Sequence, residues 1–278
     1  MHSFYKYQFI TIFIVLLFIS DINAQSLPDS TFHYKNTSFG KDLSTFFHTG
    51  IKLYSSPARF TGKDWIITGS VLAATGLAFF ADDDVRDFWL RNQSNSATDI
   101  LNIMQIYGNV GFASALSVTV YVGGKIFKDP EIAATGRMLV EGVFYSGLTN
   151  TILKISTGRS RPYLNQGPYF FKPFQFTEPH ISFPSGHVTM AFTLSSILSD
   201  RIDNIFASIG LYSLASATFI QRMYSDNHWL SDCILGAATG YFTGKAVVKF
   251  DMEGNSKKLS VLPFYEQRIF GLRVFYPM

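Results

Sequence analysis

His228 and Asp232 stand four residues apart within residues 221–232, a spacing that places both side chains on one face of a helix. A carboxylate so placed accepts from one ring nitrogen, fixes the tautomer and leaves the other nitrogen free to attack an electrophile. Arg222 lies just upstream and offers a cation to clamp an anion. The same pair also decorates solvated helix faces, so this pattern alone does not define a site.

Two further segments carry matching chemistry. Lys154, Arg159 and Arg161 fall at the end of an apolar helical run. Gly158 marks a helix stop, and Pro162 pushes Arg161 out of helical geometry. Both arginines are therefore expected on an extended segment, where planar guanidiniums grip tetrahedral oxyanions by paired hydrogen bonds. A solvated basic loop or a positive membrane flank has the same composition. The second segment, Ser182-Phe183-Pro184-Ser185-Gly186-His187, precedes an apolar run over residues 188–198, so a helix starts close to His187. Free N–H groups at a helix start, a serine hydroxyl and a glycine that admits an anion make an oxyanion cradle. An ordinary helix cap at Ser185 is compatible with that role.

In order and spacing, Lys154 with Arg161-Pro162, Pro184-Ser185-Gly186-His187, and Arg222 with His228 and Asp232 resemble three signature motifs. They are those of the type 2 phosphatidic acid phosphatase family, which is related to bacterial acid phosphatases and vanadium haloperoxidases. The likeness covers residues 154–232 in its motifs and, more loosely, residues 64–250. One departure is Gln221, where the family usually has serine; its longer amide still donates to an oxygen acceptor. The resemblance implies that His228 attacks phosphorus to form a phosphohistidine, that Asp232 steadies its ring, and that His187 protonates the leaving oxygen. It also implies that Lys154, Arg161, Arg222, the Ser185 hydroxyl and the Gly186 N–H hold the non-bridging oxygens.

The expected activity is metal-independent hydrolysis of a lipid-linked phosphate or pyrophosphate, with no cofactor. Competing readings are a broad-specificity acid phosphatase on soluble phosphomonoesters, a vanadate-dependent haloperoxidase and a non-catalytic lipid-phosphate binder. No metal site is expected, since Asp82-Asp83-Asp84 has no histidine nearby in sequence and the single Cys233 cannot build a thiolate cage. That aspartate run reads as a solvated helix end.

The elements that must position these groups are apolar. Of 278 residues, 47% are hydrophobic and only 15% charged, a balance that places the chain in or near a membrane. A net charge of +3 without a basic stripe argues against nucleic acid. Residues 1–24 read as an export signal, with Lys6, an apolar stretch and Ala24 before the cleavage point. An uncleaved anchor helix is the competing reading.

Residues 25–62 are expected to hold a polar segment and an amphipathic helix built on Phe39, Leu43, Phe46, Phe47, Ile51 and Tyr54. Residues 63–250 form the phosphatase domain, an all-α helical bundle of six core helices over residues 65–80, 103–126, 137–155, 186–198, 205–220 and 230–247. Alternating up and down, these helices bring all three motifs to one rim. Residues 251–278 form a tail with two short strands, read as a hairpin. Loop charges place the active rim on the non-cytoplasmic, periplasmic face of the envelope. A cleaved signal and six true spans ending inside are incompatible, which leaves an uncleaved anchor, one segment that fails to cross, or a bundle resting on the bilayer. Oligomeric state is not legible.

Overall fold

Polar side chains at helix starts decide where this chain turns. The computed structural model describes residues 34–174, 176–255, 260–266 and 269–275, so the expected export signal lies outside the described residues. Helices α1 (Phe39–Ser55), α2 (Gly62–Phe79), α3 (Asp82–Arg91), α4 (Asn95–Met104) and α5 (Val110–Ile126) come first. They are followed by α6 (Pro130–Thr157), α7 (Gly186–Ile202), α8 (Ile205–Tyr224) and α9 (Leu230–Asn255). Thr61 and Asp64 form a reciprocal capping box at the start of α2, and Asn109, Asp129 and Asn204 each accept two backbone N–H groups at the starts of α5, α6 and α8. Gly158 ends α6 in the left-handed conformation, at φ 59°.

The architecture is all-α, with α2, α5, α6, α7, α8 and α9 standing where six core helices were expected. The second expected segment is divided: a 3-10 turn over Gln105–Gly108 separates α4 from α5, because the Asn109 side chain nucleates a new helix. Helices α3 and α4 are additions that apolar periodicity did not announce. At the C-terminal end, β1 (Ser260–Glu266) pairs antiparallel with β2 (Ile269–Phe275).

Helix α7 is the central element. Val188, Ala191 and Phe192 pack with Ala215 and Phe219 of α8 and Cys233 and Ala237 of α9. Leu194 and Ile197 pack with Met138 and Leu139 of α6 and Val247 of α9. Helices α7 and α9 approach closely along Gly236, Gly240 and Gly244. A Cβ at Gly240 would stand 2.2 Å from the Thr189 carbonyl oxygen, and one at Gly244 would stand 1.8 Å from Ser196 Oγ.

Away from the motifs, buried Arg137 of α6 donates to Glu141 at 2.9 Å and to Asp251 of α9 at 2.6 Å, tying two core helices together. The outer faces of α1, α2 and α5 keep large apolar side chains exposed, among them Phe47, Ile51, Ile66, Leu72, Leu77 and Val118. Among the described residues no single helix is long and apolar enough to cross a membrane. The pairs α2 with α3, bent by 59°, and Asn95–Gly108 with α5, bent by 50°, reach that length together.

Candidate active site

The end of α6, the loop leading to α7, the start of α7, the residue His228 just before α9 and the turn into α5 at Gly108 and Val110 surround one cavity of about 240 Å³. Lys154, Arg161, Gly186, His187 and His228 all line it, so residues separated by up to 74 positions share one pocket. Asn150, one helical turn before Lys154, lines it as well. Its amide donates to Thr189 Oγ1 at 2.9 Å, which fixes the side chain at the cavity wall.

His228 stands just outside α9 rather than within it, and Asp232 lies in the first turn. The Asp232 carboxylate accepts from the Trp229 N–H at 2.9 Å, so it caps its own helix while facing the ring. His228 Nδ1 lies 3.4 Å from Asp232 Oδ2 and 3.2 Å from Ser182 Oγ, and that hydroxyl donates to Asp232 at 2.5 Å. With Nδ1 engaged on this side, Nε2 is the ring nitrogen left for chemistry. Burial would raise the Asp232 carboxyl, but Arg159, His228 and Ser182 hold it well below the usual carboxylate range. Burial also keeps the His228 ring neutral, with its pKa well below the ordinary histidine value.

Lys154 and Arg161 bring cations to the lining, whereas Arg222, Ser185 and Asp232 are not among the residues that line the cavity. Lys154 donates to the Ile181 carbonyl, and burial with neighbouring Arg161 and Arg222 lowers its pKa to about 7. Burial, Arg222, Arg161 and Lys154 together lower His187 to about 4. Arg222, lowered to about 10 by burial and by Arg161, donates to Gln105 Oε1 at 3.0 Å and to Gln221 Oε1 at 3.3 Å. Gln221 therefore orients the motif arginine as an acceptor. Arg161 donates to Asn227 Oδ1 at 3.1 Å and pairs with exposed Glu178 at 3.3 Å. The Nε groups of both Arg161 and Arg222 are buried without a partner, donors that an anion would satisfy.

Ser185 precedes α7 but its side chain does not cap the helix, and its buried Oγ has no hydrogen-bond partner. The first N–H groups of α7 are thus left to the cavity at Gly186 and His187. Among the described residues no group of three or more His, Cys, Asp or Glu side chains could hold a metal ion.

Two expectations are corrected. Arg159 does not face the cradle: it is fully buried, and its guanidinium donates to Asp82, Ser231 and Asp232 while stacking 4.2 Å from the Phe79 ring centroid. A regular extended strand would put Arg159 and Arg161 on one side, yet the Arg159 guanidinium is buried against Asp82 and Asp232 while Arg161 lines the cavity. Asp82 is not a solvated helix end: it is 0% exposed and paired to Arg159 at 2.7 Å. Of the groups that sequence reasoning missed, Asn150 is readable from its spacing to Lys154. Asp82 and Gln105 carry no local signal, because only the fold brings α3 and the α4–α5 turn to the rim.

The PAP2 superfamily sequence model matches residues 136–255, a range that contains all three motifs. The chain is 27% identical over 238 residues to a lipid A 1-phosphatase of Porphyromonas gingivalis, covering 84% of this chain and 48% of that protein. It is 32% identical over 110 residues to a lipid A 1-phosphatase of Rhizobium etli, covering 38% of this chain and 45% of that protein. The chain thus spans about half the length of the curated relatives it matches. The crystal structure of a transmembrane PAP2 type phosphatidylglycerolphosphate phosphatase from Bacillus subtilis shares the fold. Its TM-score is 0.52 at 19% identity, over 77% of this chain and 96% of that one.

Proposed function

The chain belongs to the PAP2 superfamily, and from that membership we propose that it is a metal-independent phosphomonoester hydrolase acting on a lipid-linked phosphate. The observation that carries this reading is one cavity lined by both His187 and His228 together with Lys154 and Arg161. The curated relatives support a phosphorylated glycolipid as the substrate class. The exposed apolar faces of α1, α2 and α5 support a seat at a membrane, where such a substrate resides. Export and a periplasmic active rim remain part of the proposal, resting on the leader composition and loop charges.

In the proposed reaction the phosphate enters between Lys154, Arg161, Arg222 and the N–H groups at the start of α7, with the Ser185 hydroxyl beside them. These donors stabilise the charge on the non-bridging oxygens as the transition state forms. The lone pair of His228 Nε2 attacks phosphorus, and the ester P–O bond breaks on the opposite side. Asp232 and Ser182 hold Nδ1–H and offset the positive charge on the ring. His187 gives its proton to the leaving oxygen. In the empty site burial, and after it Arg222, Arg161 and Lys154, disfavour the protonated ring; a bound anion cancels the cations' share, so His187 takes up its proton together with the substrate. Neutral His187 then takes a proton from water as its oxygen attacks phosphorus. The P–N bond breaks and returns its electron pair to His228.

Phosphate release from a 1-phosphorylated glycolipid, followed with and without chelator, tests the reading. Turnover should persist in chelator, vanish in His228→Ala, and yield acid-labile phosphate bound to protein on rapid quench. Failure to release phosphate from any lipid phosphomonoester under either condition would overturn it.

A further inference from the structure

Asp82 lies outside the three motifs and outside residues 136–255, yet it reaches the innermost part of the site. Its Oδ1 accepts from the Ser231 N–H at 2.9 Å, and its Oδ2 accepts from Ser231 Oγ and from Arg159, each at 2.7 Å. Ser231 is the residue before Asp232 in the first turn of α9. Asp82 therefore caps, from another helix, the turn that carries Asp232.

Arg159 completes the connection. One of its terminal nitrogens donates to Asp232 Oδ1 at 2.6 Å and to Ser231 Oγ at 2.7 Å, the other to Asp82, and its Nε to the Pro168 carbonyl at 2.9 Å. The rings of Phe79 and Trp229 flank the guanidinium plane. Held from these directions, the fork cannot turn away from Asp232, and Asp232 cannot turn away from His228.

We propose that Asp82 and Arg159 are positioning residues for the His228 nucleophile, acting through Asp232 and the first turn of α9. This rests on the proposed role of His228 in phosphoryl transfer. Asp82, Arg159 and Asp232 lie together at 0% exposure, a buried group with one more carboxylate than guanidinium. Of the three only Asp232 reaches the His228 ring, at 3.4 Å, and none of them lines the cavity. In the proposed reaction the phosphate contacts belong to Lys154, Arg161 and Arg222. Loss of Asp82 should therefore be felt in kcat and not in KM.

The test uses the full chain with nitrogen-labelled histidine, comparing wild type, Asp82→Asn and Arg159→Lys, with the His228 signal assigned by its loss in His228→Gln. In wild type the ring should hold a single tautomer with the proton on Nδ1. In Asp82→Asn the signal should shift toward a mixture of tautomers, with kcat lowered about 10- to 100-fold and KM changed less than about 3-fold, the scale on which partners of a site ligand act. Arg159→Lys keeps the charge without the fork and should act in the same direction.

A His228 signal that does not move in folded variants overturns the proposal, as does a moved signal with unchanged kcat, or failure of both variants to fold. Should wild type prove inactive on lipid phosphates, the proposed function fails, while the tautomer comparison still decides the positioning role by itself.

Discussion

Replacing Lys154 with arginine should abolish a pH dependence built into the phosphate cradle. Burial, Arg161 and Arg222 bring the ammonium from 10.5 down to about 7. At 1.36 kcal/mol for each pH unit, holding that charge in the empty site costs about 5 kcal/mol, which a bound anion recovers in part. Between pH 6 and pH 8 Lys154 passes from about nine-tenths to about one-tenth protonated, so affinity for a phosphate anion should weaken about 10-fold through this group alone. An arginine at this position keeps its charge throughout, so its binding lacks that component. Inhibition by inorganic phosphate, measured for both proteins across this range, is the assay. The ionisation of phosphate affects both alike and cancels in the ratio of their inhibition constants. The ratio should move about 10-fold between the two ends of the range; a change of less than about 2-fold would refute the account of Lys154.

Asp232→Asn should fold and bind phosphate but lower kcat by about 10²- to 10⁴-fold, because the carboxylate orients the ring and offsets its developing charge; steady-state kinetics checks the split. Gly158→Ala should destabilise by more than about 2 kcal/mol in a denaturant titration, since φ is 59° and the added Cβ would stand 1.6 Å from the Lys172 carbonyl oxygen. Arg137→Met should cost about 3–5 kcal/mol by taking the guanidinium away from buried Glu141 and Asp251, with kcat of the folded fraction preserved because Arg137 does not line the cavity. Burial, with Arg222, Arg161 and Lys154, pushes His187 down to about 4 from an ordinary 6.5. Its neutral form therefore contributes stability above pH 6.5 that is lost as pH falls toward 4, about 3 kcal/mol in all. His187→Gln should flatten that part of the acid limb in melting curves; an unaltered limb would show that His187 does not carry it.

The order of residue types along the chain was enough to single out candidate groups for phosphoryl transfer. A neutral imidazole four residues before a carboxylate, a helix start marked by Ser185-Gly186-His187 and a lysine one turn before a helix-stopping glycine are local patterns. Caps, glycine stops and helical periodicity act over a few residues, so they are legible without knowledge of the fold. Alternating apolar helices were likewise enough to bring the three motifs to one rim. What the tertiary structure alone decided is which way each charge points. Arg159 and Arg161 differ by two positions, yet one guanidinium is swallowed by Asp82 and Asp232 while the other lines the cavity. Asp82 looked like a solvated helix end and became a buried partner of Arg159 and Ser231, because α3 folds back onto the start of α9. Gln105, in the 3-10 turn between α4 and α5, meets Arg222 117 positions away. A buried charge must find its partners wherever the packed helices place them, and that placement depends on long-range packing that no local pattern encodes.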